Sequence, residues 1–296
     1  MDIQRRFPDV HWIWGGGISF VYEEHPRIVV KKELKIYEIF SRHRPCPYIV
    51  QCFLYTDNSI FLEYMKDICL SAQIQNNHIR DQETMAVTKI NDLAQAVAYL
   101  ESLNLAHSDL RPENILLDRD RLKLSNYNCT VEIGTDFKAC LAPYKRLLNS
   151  SETDQGPRGT SSFLGPQTKQ FALGSIYYLI NYSFEVYDNQ CLTDDPHKHG
   201  PKVVDSLQNI EFPGLYSDPL IDDIIDNCWH NKYATAAQLA TKTNSFSIKK
   251  KKTIKEPGPN AQTVSATTPS GDSHHSVDQA EPKQLGLTFE WYRHSS

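Results

Sequence analysis

Eleven residues, His107-Ser108-Asp109-Leu110-Arg111-Pro112-Glu113-Asn114-Ile115-Leu116-Leu117, constrain this chain more than any other stretch. They place a histidine, an aspartate and an asparagine on one short polar loop. Before the loop, Val87, Ile90, Leu93, Ala94, Val97, Ala98 and Leu100 recur at helical spacing, which predicts an amphipathic helix over 84–102. After it, the apolar runs Ile115–Leu117 and Leu122–Leu124 flank Asp118-Arg119-Asp120-Arg121, which predicts a hairpin.

The texture differs on the two sides of Met65. Before it lie short strand-like runs. Trp12 and Trp14 precede Gly15-Gly16-Gly17, Phe20–Tyr22 follows, and Arg27–Lys31 is β-branched. A short helix is expected over 33–43, and strands over 48–55 and 59–64 around Thr56-Asp57-Asn58. Beyond Met65 helices are expected over 170–182, 219–229 and 234–240. From about residue 246 the chain turns Ser/Thr/Pro/Lys-rich without apolar period, so 246–296 is read as a disordered tail to a folded unit at 1–245.

Composition excludes several roles. With 31 basic against 36 acidic side chains the net charge is -5, which argues against a nucleic-acid binder. The sequence holds no run of 18 apolar residues, so no membrane span is expected. The seven cysteines are odd in number and form no CxxC, as in a reducing compartment. With no apolar leader at the start, a cytoplasmic or nuclear protein is expected. There is no GxSxG and no HExxH, and the pairs His197/His199 and His274/His275 are isolated.

The eleven-residue run resembles the catalytic loop of the eukaryotic protein kinases, H-R-D-L-x-x-x-N, with His107, Asp109, Leu110 and Asn114 in step. The resemblance extends over roughly 10–240. A finer likeness, to compact protein-kinase-like proteins of filamentous fungi, rests on Leu164-Gly165-Pro166 and Gln170–Ser175. The resemblance implies an α+β, two-lobed fold, with a shortened N-terminal β lobe over 10–65 and a mainly helical lobe over 66–245. It implies ATP and Mg²⁺ (or Mn²⁺) as cofactors, and a protein substrate or protein partner. Asp109 would accept or orient a substrate hydroxyl proton. Asn114 would hold a metal, and Arg111 would stand where a lysine usually meets the γ-phosphate. Gly15, Gly16 and Gly17, followed by Val21, would cover the phosphates, although only Gly16 falls in register with the kinase glycines. Lys31, or Lys32 after a one-residue slip, would meet the α/β-phosphates and pair with Glu33 or Glu38. Leu62 would guard the adenine pocket, and the backbones of Glu63 and Met65 would bind the adenine edge.

This chain departs from the family pattern at several places. Asn126 stands where the metal-binding aspartate of D-F-G is expected, leaving Asn114 and Asn126 as the metal side. Asn128 replaces the glycine. Lys169 occupies the place of an aspartate that bonds the catalytic-loop backbone. The arginine expected after Cys228-Trp229 is absent, as is the glutamate of A-P-E. Ser108 replaces the arginine that would read a phosphate on the activation segment, whose candidate acceptors are Tyr144, Ser150, Ser151, Thr153, Thr160, Ser161 and Ser162. Two functions are therefore expected. The first is phosphoryl transfer from ATP to protein Ser/Thr hydroxyls. The second is a pseudokinase acting as a scaffold or regulatory binding module.

Overall fold

The computed structural model describes residues 11–15, 20–25, 28–31, 35–56, 59–65, 69–75, 83–118, 121–137, 141–147 and 163–255, with the backbone alone for those within 11–31 and for 56, 59, 83–85, 196 and 249–255. The β-branched and aromatic runs near the N-terminus form strands β1 (His11–Gly15), β2 (Phe20–His25), β3 (Ile28–Lys31), β4 (Cys52–Thr56) and β5 (Ser59–Glu63). They pair antiparallel in the order β1-β2-β3-β5-β4. Helix α1 (Lys35–Ser41) connects β3 to β4 and buries Tyr37 and Phe40, one turn apart.

The strand expected over 48–55 is shorter, because β4 starts at Cys52. The preceding residues spend their backbone bonds elsewhere. Val50 N donates to the Leu124 carbonyl at 2.9 Å, and Leu124 N donates to the Tyr48 carbonyl at 3.0 Å. Strand β8 (Arg121–Leu124) thus captures this segment and fastens the sheet to the helical part.

The helical part follows: α2 (Leu70–Gln75), α3 (Glu83–Ser102), α4 (Pro166–Tyr182), α5 (Pro196–Gln208), α6 (Pro219–Trp229) and α7 (Ala236–Lys255). Helix α3 buries Val87, Ile90, Leu93, Ala94, Val97 and Leu100, the stripe its spacing predicts. It also carries the hairpin of β7 (Ile115–Asp118) and β8, whose register Asp118↔Arg121 matches the expected turn. Buried Asp92 accepts Arg121 Nε and Nη2, both at 2.8 Å, and Leu122 N at 3.1 Å. Two short strands, β6 (Leu105–His107) and β9 (Thr130–Glu132), pair beside the hairpin. The sheet-then-helices architecture is the α+β, two-lobed one expected. Among the described residues no helix is long and apolar enough to cross a membrane.

The folded unit runs past the boundary expected at 245, since α7 continues to Lys255 with Phe246 and Ser247 buried. Composition hid this because the sequence turns polar after Thr241, although the helix packs extensively against α3 and buries Leu239, Ala240 and Phe246. Buried Thr243 donates to Asn91 Oδ1 at 3.1 Å, and Ala236 N donates to Glu101 Oε2 at 2.8 Å.

Helix α4 is buried on all sides from Thr168 to Ile180. It crosses α6 closely at Gly174. A Cβ there would lie 2.8 Å from Trp229 Cδ1 and 3.0 Å from Cys228 Cβ. The indole has little room to yield. It stacks on Phe212 at 4.6 Å, and its Nε1 donates to Ser175 Oγ at 3.3 Å. Gly174→Ala is therefore expected to destabilise. The helix gains about 1 kcal/mol of propensity, but overpacking costs ~1–3 kcal/mol. A lowered urea midpoint is the expected result, and Gly174→Val should lower it further. An unchanged midpoint in both would show that the crossing gives way.

Candidate active site

The loop between β6 and β7 is built by its own side chains. Pro112 pre-sets φ at the first position of a 3₁₀ turn, Pro112–Asn114, which reverses the chain. The reversal turns Asn114 back toward Asp109. Asn114 Nδ2 donates to the Asp109 carbonyl at 2.7 Å and to Asp109 Oδ2 at 2.8 Å. Arg111 Nε lies 3.3 Å from the same carboxylate oxygen and 3.7 Å from Glu113 Oε2. Asp109, Arg111 and Asn114, read from the sequence as one group, are thus brought together.

His107 supports the loop from below. It is 1 % exposed. Its Nε2 donates to the Ser125 carbonyl at 2.9 Å, and its Nδ1 accepts Asp109 N–H at 3.2 Å. Both bonds require the neutral ring with the proton on Nε2. Burial pushes its pKa down to about 4; the Ser125 carbonyl and Asp109 oppose the shift, and Lys169 adds to it. Ser125 N and Oγ both donate to the Asn114 carbonyl at 2.9 Å, which closes the ring of contacts.

Asn126 follows with φ 59° and ψ 64°, a left-handed conformation that asparagine tolerates well. Its Nδ2 donates to Asn114 Oδ1 at 2.8 Å. The direction of this bond is forced. Asn114 must turn its NH₂ toward the two Asp109 oxygens, which only accept, so its Oδ1 faces Asn126. Asn126 must then offer a donor. The two expected metal ligands are hydrogen-bonded to each other. Among the described residues no three His, Cys, Asp or Glu side chains gather to hold a metal ion. Mg²⁺ favours carboxylate and phosphate oxygens. The donor set here offers amides already paired, and does not fit it.

Tyr127 links the loop to the sheet part. Buried, it donates from its hydroxyl to the Leu124 carbonyl at 2.6 Å. Its ring meets His107 edge-on at 5.6 Å, Tyr37 at 5.6 Å and Phe40 at 5.1 Å. Helix α1 is therefore docked against the loop through one aromatic column. Ser108, 7 % exposed, donates to the Cys129 carbonyl, so this position is closed to an activation-segment phosphate. Lys169 lies in the buried face of α4 at 5 % exposure, and its Nζ has no hydrogen-bond partner among the described residues.

On the sheet side, Val21, Lys31 and Ile60 stand in one cross-strand row, and Gly15 ends β1 opposite Phe20. Gly16, Gly17, Lys32 and Glu33 lie outside the described residues, as does the side chain of Lys31. Leu62 and Met65 are buried at the end of β5 and just beyond it. The Glu63 side chain has a role that its backbone assignment did not suggest. It accepts Lys123 Nζ at 2.6 and 2.7 Å and Gln51 N at 3.0 Å, which ties the end of β5 to β8. Strand alternation puts Lys123 opposite Leu122 and Leu124, but nothing in the sequence names its partner 60 residues away. A groove of about 500 Å³ between α1, β4 and Tyr99 is lined in part by Gln51 but by none of the residues read from the sequence as site residues.

One candidate is corrected. Tyr144 is not an accessible phosphate acceptor. It is buried, and its hydroxyl donates to Glu185 Oε1 at 2.7 Å. The Ser and Thr candidates at 150–162 lie outside the described residues.

Known proteins are similar to this chain. A family model described as protein kinase domain matches residues 22–190, more than half of the chain. The probable serine/threonine-protein kinase gdt2 of Dictyostelium discoideum is 26% identical over 220 residues, which cover 70% of this chain and 12% of that protein. MAP kinase-activated protein kinase 2 of Homo sapiens is 26% identical over 198 residues, 60% of this chain and 46% of the relative. The serine/threonine-protein kinase Sgk1 of Xenopus tropicalis is 30% identical over 138 residues, 40% and 29% respectively. The chain thus spans less than half the length of each of these relatives. With the loop of Asp109 and Asn114 set between a five-stranded sheet and a helical part, and with the family model running from β2 through α4, this chain belongs to the protein kinase domain family.

Proposed function

We propose that this chain binds ATP between its sheet and its helical part and transfers the γ-phosphoryl group, slowly, to serine or threonine hydroxyls of a protein. One observation carries the reading: the Asp109 carboxylate is held by Asn114 Nδ2 at 2.8 Å with Arg111 Nε 3.3 Å away. That is a positioned acceptor for a hydroxyl proton beside a cation for the transferring group. In the step, the hydroxyl oxygen bonds to the γ-phosphorus as the bond to the bridging oxygen breaks and ADP leaves. Asp109 takes or orients the proton. Arg111 offsets charge on the phosphoryl oxygens. Neutral His107 holds the loop and takes no proton itself.

Serine or threonine is favoured by Arg111, two residues after Asp109, where many Ser/Thr kinases carry a lysine. Relatives such as gdt2, a probable serine/threonine-protein kinase, point the same way. The phosphate end is weakened. Without a carboxylate at position 126, loss of electrostatic stabilisation is expected to cost at least about 100-fold in rate. The second reading, a pseudokinase that regulates or scaffolds a partner, is favoured by the hydrogen bond from Asn126 to Asn114.

The test is incubation of the full chain with γ-labelled ATP and a mixed protein acceptor such as casein, followed by phosphoamino-acid analysis. Slow label in phosphoserine or phosphothreonine is the expected result. No label above a no-enzyme control after hours would sink the transferase reading in favour of the second.

A further inference from the structure

We propose that the site takes its nucleotide triphosphate as the free anion, without a divalent cation, the hydrogen-bonded chain Asp109–Asn114–Asn126 standing where a cation would otherwise hold these side chains together. The inference rests on the nucleotide reading above and deepens it.

The reasoning is one of donors and acceptors. Asn114 Nδ2 is committed to the Asp109 carbonyl at 2.7 Å and to Asp109 Oδ2 at 2.8 Å. Asn114 Oδ1 must therefore face position 126. A carboxylate at 126 would set acceptor oxygens against that Oδ1, and only a cation between them would make the arrangement favourable. An amide at 126 removes the conflict, because Nδ2 donates to Oδ1 directly at 2.8 Å. The chain of donors is complete without a metal. For a cation to be held by both side chains, Asn126 would have to rotate its amide and give up this bond, and the cation would gain no formal charge at position 126. Mg²⁺ gives up its waters reluctantly and gains little from neutral amide ligands. The surroundings also keep the bond in place. Asn114 is 3 % exposed, its carbonyl accepts both Ser125 N and Ser125 Oγ at 2.9 Å, and Asn126 sits in its left-handed conformation immediately after. Charge on the phosphates is then met by side chains, with Arg111 at the loop and Lys31 on the sheet as the candidates. One fewer negative charge at position 126 suits a fully anionic triphosphate.

The experiment is a calorimetric titration of ATP onto the full chain in EDTA, and again with MgCl₂ or MnCl₂ in excess over nucleotide. Binding in EDTA is expected. Excess Mg²⁺ converts ATP to its metal complex and depletes the free anion, so the apparent affinity should fall by at least about tenfold. Asn126→Asp should reverse the pattern, binding ATP weakly in EDTA and regaining it with Mg²⁺. Its Mn²⁺–nucleotide complex should give a protein-bound electron paramagnetic resonance signal that the wild type lacks. Wild-type binding as tight with Mg²⁺ as in EDTA, or tighter, would overturn the inference while leaving the nucleotide reading intact. No ATP binding under either condition would instead remove the nucleotide reading, and this inference with it. The wild-type arms decide the matter even where Asn126→Asp fails to fold.

Discussion

Replacing Lys169 by methionine should stabilise this chain, and most strongly at and below neutral pH. Lys169 sits on buried helix α4, and its Nζ has no hydrogen-bond partner among the described residues. Burial pushes its pKa from 10.5 down to about 7, with Glu101 of α3 the group that opposes the shift. Its charge also bears on His107 of β6. The protonated amine is therefore penalised in the folded state and free of penalty in the unfolded one. Below about pH 7 both states are protonated, and the folded state carries the whole cost. Between about 7 and 10.5 the unfolded chain binds the extra proton, so wild-type stability rises with pH across that window. The full cost corresponds to roughly 5 kcal/mol as an upper figure. Lys169→Met removes it while shortening the side chain by only about one atom. Guanidinium unfolding at pH 6.5 and at pH 10 should show a large gain at the lower pH and a small one at the higher. An equal gain at both would mean that the amine finds a partner and is not penalised by burial. His107 acts in the same direction at lower pH. Its folded pKa of about 4 lies below the ordinary 6.5, so the stability of its neutral form is lost as pH falls through that interval.

Asp109→Asn should abolish phosphoryl transfer while sparing ATP binding. The substitution keeps the shape of the side chain, and its amide oxygen still accepts Asn114 Nδ2. The backbone carbonyl, which accepts the same donor at 2.7 Å, is unchanged. What is lost is the base and the negative charge beside Arg111. General-base catalysis contributes about 10²–10⁴-fold, so transfer should fall by at least about 100-fold. The ATP dissociation constant should change by less than about threefold, because Asp109 meets the hydroxyl side of the reaction rather than the nucleotide. Transfer that persists in Asp109→Asn would show that another group takes the proton. A matched loss of ATP binding would show that the loop itself had moved.

The parts of this molecule legible in the sequence are those where periodicity and chemistry coincide. Val87 to Leu100 form one helical stripe, and Ile115–Leu117 and Leu122–Leu124 form one hairpin because alternation and turn residues agree. His107, Asp109 and Asn114 are legible because their spacing on one loop is specific. The remainder depends on partners distant in sequence. Tyr48–Val50 reads as strand, but which strand it pairs with is decided by β8, more than 70 residues later. Helix α7 outruns its apolar pattern because Thr243 and Phe246 dock individually on a polar segment. Tyr144 reads as an exposed hydroxyl until Glu185 is seen to accept from it. The replacement of an aspartate by Asn126 was plain in the sequence. That its amide would point at Asn114 was not, because the direction follows from Asn114 already being committed to Asp109.

The most direct measurement is the melting temperature of the full chain against ATP concentration. A ligand that binds only the folded state must raise it, by about 2.7 kcal/mol of stability at a hundred times the dissociation constant. For a domain of this size that is roughly 5–10 °C. A saturable rise with ATP, present in EDTA and smaller with an equimolar non-nucleotide polyphosphate, is the expected result. A melting temperature unmoved by millimolar ATP, with metal or without, would contradict it and leave a kinase fold whose cleft holds no nucleotide.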